Sequence, residues 1–136
     1  MDNNAILVFM DIFPIIFLAV YGYRFKYKTP DFGEQSGFNT PYTKASKQAW
    51  DYGHKIAGSI CLWGAIVACV LTIGKYIFYT QFPQYANNTI LDWTIIGGQF
   101  LLVLLIMPIT NASIKKKFGT VEEIEKKARK KKKKED

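Results

Sequence analysis

Apolar residues in this chain form long runs instead of the spaced stripes that are typical of helices in a soluble domain. Three runs stand out, at residues 6–25, 56–79 and 91–110. Each is close to the roughly 20 residues that a helix needs to cross about 30 Å of hydrocarbon. Pro14 and Pro108 lie inside two of the runs, which membrane helices tolerate when neighbouring groups satisfy the freed carbonyls. The pattern predicts an all-α membrane protein with three transmembrane helices.

Apart from Lys75, the basic residues lie on one side of this pattern. The loop 26–55 and the tail 115–136 carry every lysine and arginine except Arg24 and Lys75, whereas the N-terminal MDNN and the turn QFPQYANNT carry none. Segments rich in Lys and Arg stay in the cytoplasm. We therefore predict an N-terminus outside, a cytoplasmic C-terminus and an ordered cytoplasmic interfacial loop between the first two helices. The predicted organisation is a three-helix domain at 1–114 followed by the basic tail.

The loop ends in an unusually specific stretch, GFNTPYTKASKQAWDYGHKIAG. Thr40 precedes Pro41 and is expected to be extended, while Ser46 is a candidate N-cap for a helix that continues into the second span. Trp50 and His54 are four residues apart and share one face of that helix. A lone histidine can switch or shuttle protons, but we favour a structural His54 packed beside Trp50.

At these residues the chain resembles the SdpI family, whose signature is Gly-x-x-Thr-Pro-x-Thr followed by Ser-x-x-x-Trp and a polar residue four positions later. The matching positions are Gly37, Thr40, Pro41, Thr43, Ser46, Trp50, His54 and Gly58. The family usually has an arginine where this chain has Asn39, which argues against an anion-binding role there. The resemblance implies a multi-pass protein of the bacterial cytoplasmic membrane that acts in toxin or bacteriocin immunity, or in related membrane self-protection and signalling. It implies no catalytic chemistry.

Among the polar side chains inside the predicted spans, Asp11, Lys75, Asp92 and Gln99 are the candidates for a functional role. Because the spans alternate in direction, the three charged residues lie at similar depth near the outer end. A charge within a span is costly unless it pairs or reaches water, so these residues are functional candidates. One interpretation is an Asp11–Lys75 pair that lines an outward-facing pocket, as in a small ion or solute transporter or channel-like subunit. We favour a structural ion pair or side chains that snorkel to the interface. For Gln99 we favour an interhelical hydrogen bond.

Small residues at four-residue spacing mark a packing face of the second span: Ala57, Cys61, Ala65 and Cys69. The third span contributes Gly97-Gly98. We assign most of these residues to packing within the bundle and keep a homo-oligomer contact as the alternative. The two cysteines are separated by about 12 Å of helix rise, too far for a disulfide.

The remaining sequence features indicate binding surfaces instead of chemistry. CxxC, clustered His and Cys, GxGxxG and a serine elbow are all missing, so we predict no metal site, no cofactor and no enzymatic activity. In the tail, Thr120 and Glu123 form a capping-box pattern ahead of a lysine run. That run predicts contact with anionic lipid headgroups. The alternative is a solvated tail that only fixes the topology of the chain. We do not expect the tail to bind nucleic acid. Besides the bilayer, the expected partners are a peptide toxin or another membrane protein, to which this chain would be an accessory subunit.

Overall fold

The computed structural model describes residues 3–86 and 89–135, and all the regular structure in these ranges is helical. The helices are α1 (Asn3–Tyr27), α2 (Pro41–Lys44), α3 (Lys47–Gln81), α4 (Thr89–Phe118) and α5 (Val121–Glu135), with a 3-10 turn at Pro83–Tyr85. Helices α1, α3 and α4 are long and apolar enough to cross a membrane. The predicted all-α class and the three candidate spans are therefore confirmed.

Two of the long helices extend beyond the apolar runs that predicted them. Helix α3 begins at Lys47, where the Ser46 hydroxyl accepts a hydrogen bond from the backbone N–H of Ala49 at 3.1 Å. This confirms the predicted N-cap. Helix α4 continues to Phe118, so the basic residues 115–117, where the predicted tail begins, form its last turn. Polar residues continue a helix at the membrane surface because its hydrogen bonds are made by the backbone, and cations are favourable at a helix C-terminus.

Helix α3 packs against both α1 and α4 and runs antiparallel to each of them. Glycines allow the closest approach: a Cβ atom at Gly58 would lie 2.6 Å from the backbone nitrogen of Lys26, and one at Gly22 would lie 2.9 Å from that of Leu62. The core beside them is small-residue rich and comprises Leu18, Phe25, Ala57, Cys61, Ala65 and Ile106. Gly97 and Gly98 differ from the expectation, because the space around both is open. They therefore mark no packing face within this bundle.

Large apolar side chains cover the outside of the bundle. Trp63, Ile90 and Leu104 are 69%, 79% and 71% exposed, and they belong to a much larger set of exposed apolar residues on the three long helices. A soluble protein rarely shows so extensive an apolar surface. The outer faces are therefore suited to lipid hydrocarbon.

The C-terminal segment folds back onto the bundle. Gly119, with φ of +98°, ends α4, and its N–H donates to the carbonyl of Lys115 at 2.9 Å. The predicted capping box then starts α5, with the Thr120 N–H donating to a Glu123 carboxylate oxygen at 2.8 Å. Ile124 is 3% exposed. It packs with Ala45, Ala49 and Ile114. An apolar side chain therefore anchors the first turn of the tail, and the lysines that follow it are exposed.

Candidate functional site

Trp50 joins the loop to α3 at the basic end of the bundle. Its side chain is fully buried, and the indole N–H donates to the carbonyl oxygen of Pro30 at 2.8 Å. Its ring lies nearly perpendicular to that of Phe32, with the ring centroids 5.7 Å apart. One aromatic side chain thus fixes a loop segment 20 residues earlier in the chain.

His54 lies beside Trp50, with 4.3 Å between the ring centroids, and is also fully buried. Its Nε2 accepts a hydrogen bond from the backbone N–H of Phe38 at 2.7 Å, which leaves Nδ1 to donate to the carbonyl of Trp50 at 2.8 Å. A backbone N–H can only donate, so this geometry requires a neutral imidazole protonated on Nδ1. Both ring nitrogens are occupied, which supports the favoured structural role and leaves none free for a metal or a proton relay.

Thr40 and Thr43 close the turn before α3 with a reciprocal pair of hydrogen bonds. The Thr40 N–H donates to the Thr43 hydroxyl at 2.9 Å, and the Thr43 N–H donates to the Thr40 hydroxyl at 3.2 Å. Pro41 occupies the first turn of α2, where the missing N–H costs nothing. The Thr40 hydroxyl also donates to Asn111 on α4 at 2.8 Å. The loop is therefore attached to the third long helix as well as to α3.

Gly37 and Asn39 act on the same loop in different ways: Gly37 leaves space for neighbouring rings, and Asn39 forms hydrogen bonds with the loop backbone. A Cβ atom at Gly37 would lie 2.5 Å from the Trp50 ring and 3.0 Å from His54 Nε2, so only glycine allows this approach. The Asn39 amide nitrogen donates to the carbonyls of Glu34, Gln35 and Gly37 at 3.1, 3.0 and 2.9 Å. Asn39 thus stabilises the loop backbone.

The loop is also tied to the end of α1 by exposed polar groups. Arg24 donates to the Ser36 hydroxyl at 2.8 Å and lies 3.8 Å from the carboxylate of Glu34. The Ser36 hydroxyl in turn donates to Glu34, and this hydrogen bond lowers the pKa of that carboxyl below its usual range. Because these groups face solvent, the ion pair itself contributes little stability.

A second polar site lies at the opposite end of the bundle, where three helices bring charged residues together. Lys75 on α3 contacts the carboxylate of Asp11 on α1, and its Nζ lies 3.1 Å from Asp92 Oδ1 on α4. The three residues are 4%, 0% and 6% exposed, in that order. They form a buried cluster, so the structure supports the ion pair and not the snorkelling that was its alternative.

Two tyrosines that the sequence pattern did not predict complete this charged cluster. The Tyr76 hydroxyl donates to Asp11 Oδ2 at 3.2 Å, and the Tyr79 hydroxyl donates to Asp92 Oδ1 at 3.0 Å. Tyr79 was recognisable in principle, because it follows Lys75 by four residues on the same helix face. Among the described residues, Asp11 Oδ1 is buried without a hydrogen-bond partner.

A cavity of about 720 Å³ opens beside the cluster. Lys75, Tyr76, Tyr79, Asp92 and Trp93 provide its polar and aromatic lining, and residues 6–8 of α1 provide an apolar wall. Two carboxylates face one ammonium group in the cluster. The floor of the cavity therefore carries one carboxylate, Asp92, beside the Lys75 ammonium group, and α1 forms an apolar wall.

Gln99 lies deeper in the bundle and joins α4 to α3. Its amide donates to the Thr72 hydroxyl at 2.7 Å, and both side chains are buried. This is the interhelical hydrogen bond that we favoured for Gln99. Within residues 3–86 and 89–135, no three His, Cys, Asp or Glu side chains are grouped to hold a metal ion.

The fold and the two sites define a small helical bundle with three membrane-spanning candidates, a buried charged cluster at one end and a hydrogen-bonded loop at the other. The model of the SdpI/YfhL protein family matches residues 35–110, more than half of the chain. The chain therefore belongs to the SdpI/YfhL family, as its Thr-Pro/Trp segment predicted. This family is not known as a family of enzymes. No curated protein and no solved structure matches the chain.

The matched region contains every residue of the predicted signature, together with Lys75, Asp92 and Gln99. Asp11 lies outside it, on α1. The structure thus separates the sequence-predicted residues into a loop–helix junction around Trp50 and a charged cluster around Lys75, with Gln99 between them.

Proposed function

We propose that this chain is a non-catalytic self-protection protein of the bacterial cytoplasmic membrane, which gives the cell immunity to a membrane-active peptide toxin. Membership of the SdpI/YfhL family is the observation that carries this proposal. The basic loop and the lysine-rich end of α4 support a cytoplasmic position for the Trp50 junction. The charged cluster and its cavity then face outward, the side from which a secreted toxin arrives.

The two sites have different roles in this proposal. The Trp50 junction is architectural, since its hydrogen bonds are made within the protein and hold α1, α3 and α4 in position. The cavity beside Lys75 is the contact region, because it combines a polar floor with apolar walls that an amphipathic peptide can use. Burying three charges in so small a bundle costs free energy, and such residues in a membrane usually serve a function.

The test is survival of sensitive bacteria that express the wild type, Trp50→Ala or Lys75→Met during exposure to a panel of membrane-active peptide toxins. Trp63→Ala is the matched control, since Trp63 lies on the same helix but is 69% exposed. We expect protection by the wild type and by Trp63→Ala, and its loss in the other two variants at equal membrane abundance. Failure of the wild type to protect against any toxin contradicts immunity and leaves family membership intact.

The charged cluster favours a second candidate, a small ion transporter or channel-like subunit. Two carboxylates and one ammonium group from three helices form the kind of intramembrane arrangement that lines ion pathways. Reconstituted vesicles should then show a proton or cation flux that Lys75→Met abolishes and Trp63→Ala preserves. An absence of flux in wild-type vesicles rejects this candidate.

A further inference from the structure

The C-terminal helix α5 is held at a defined position beside the start of α3. Ile124 is buried against Ala45, Ala49 and Ile114, and the capping box at Thr120 fixes the direction in which the helix leaves α4. The lysines that follow therefore lie on a helix whose first turn is packed against α3 and α4.

These lysines form one side of a groove of about 450 Å³ between α5 and the first turn of α3. Five lysines from three helices line this lysine groove: Lys47, Lys117, Lys127, Lys131 and Lys132. Asp51 and Glu135 are the acidic residues in its lining, so cations outnumber carboxylates.

Most of this positive charge is unmatched within the protein. Lys131 pairs with Glu135 at 4.0 Å, but both side chains are 68% exposed, so the pair is weak. In the described part of the chain, Lys47, Lys127 and Lys132 form no ion pair within 4.0 Å. The groove also lies at the N-terminus of the 35-residue helix α3, where the helix dipole adds positive potential.

The position of the groove indicates the ligand. It lies where α3 and α4 leave their apolar segments, at the same end of the bundle as the basic end of α1. A groove at that level meets lipid headgroups. Clustered lysines beside a membrane span attract anionic lipid by roughly 1 kcal/mol per charge. We propose that the lysine groove binds the headgroup phosphate of an anionic phospholipid and holds α5 against the membrane surface.

The full chain in neutral detergent micelles allows a direct test. Native mass spectrometry would give the dissociation constant for the first bound phosphatidylglycerol, with phosphatidylcholine and inorganic phosphate as separate arms. The groove variant removes three cations from the groove by combining Lys127→Gln, Lys131→Gln and Lys132→Gln. The matched control variant removes the same charge from α5 outside the groove by combining Lys130→Gln, Lys133→Gln and Lys134→Gln.

We expect phosphatidylglycerol to bind the wild type and the groove variant to bind it on the order of 100-fold more weakly, from about 1 kcal/mol for each lysine. The control variant should lose less than about 10-fold, because its lysines contribute only through diffuse attraction. Lys47→Gln should also weaken binding, about fivefold for one lysine, although it lies outside the tail. Circular dichroism on each variant verifies that α5 remains helical.

Three results would overturn the proposal. Equal losses in the groove and control variants would show that the tail acts as a diffuse charge. Equal affinity for phosphatidylcholine would show that the anionic headgroup is not recognised. Binding of inorganic phosphate as tight as that of the lipid would identify a soluble anion as the ligand.

Discussion

Replacing Lys75 with Met removes the cation that lies between Asp11 and Asp92 while keeping a side chain of similar length. At an effective dielectric constant of about 20, two unit charges 3.1 Å apart gain about 5 kcal/mol, and desolvation offsets much of that gain. When Lys75 is lost, both carboxylates remain buried without their counter-ion. We therefore expect Lys75→Met to lower the free energy of unfolding by about 3–5 kcal/mol, as for other buried pairs that lose one partner.

The assay is reversible unfolding of the full chain in mixed micelles by titration with dodecyl sulfate. Lys55→Met is the control, because Lys55 is an exposed lysine on the same helix; its change should stay within about 0.5 kcal/mol. Adding Asp11→Asn and Asp92→Asn to Lys75→Met should recover most of the lost stability, because no buried carboxylate then remains without a counter-ion. This comparison separates electrostatics from packing.

A loss below about 1 kcal/mol for Lys75→Met would refute this reasoning, since that is the value of an exposed ion pair. The charges would then be in contact with water or headgroups. A full loss that the two asparagines do not rescue would instead assign the effect to side-chain packing.

Further predictions concern the helix contact and the loop. Gly58→Ala should destabilise the bundle by about 1–3 kcal/mol, because the added Cβ would overlap backbone atoms of α1. Gly98→Ala lies in open space, so it should be neutral or stabilising by up to about 1 kcal/mol. Thermal unfolding of the two variants checks the sign of both changes. His54→Phe should lower the free energy of unfolding by about 1–3 kcal/mol, because it leaves the Phe38 N–H in the loop without its acceptor. Hydrogen exchange in the loop should become faster, and unchanged exchange would contradict the assigned hydrogen bond. Thr40→Ala and Asn111→Ala should show a coupling of about 0.5–1.5 kcal/mol in a double-mutant cycle, and strict additivity would mean that their hydrogen bond contributes nothing.

Local signals in the sequence were sufficient for much of the architecture. The three apolar runs predicted the spans because a helix that crosses hydrocarbon must satisfy its own backbone and present apolar side chains over its whole length. Ser46 and Thr120 predicted helix starts correctly, because capping depends on residues within one turn. The spacing of Trp50 and His54 likewise placed both on one helix face.

The helix ends were less predictable. The apolar runs mark where hydrocarbon begins, whereas α3 and α4 continue into polar segments through backbone hydrogen bonds that hydropathy does not report. The same limit applies to Gly97 and Gly98, since small size alone does not say which face meets a neighbour.

The sequence by itself determined that this chain forms three long helices that are apolar enough to cross a membrane, with every basic residue except Lys75 towards one end, and its Thr-Pro/Trp segment identified the family. Only the tertiary structure decided how those parts meet. It paired Lys75 with carboxylates from two other helices, added Tyr76 and Tyr79 to that cluster, and placed the lysines of α5 opposite Lys47. The physical reason is distance along the chain. Capping, helix periodicity and hydropathy act within a few helical turns, so a sequence pattern reports them directly. Asp11 and Lys75 are more than 60 positions apart, so they meet only after the helices have packed antiparallel.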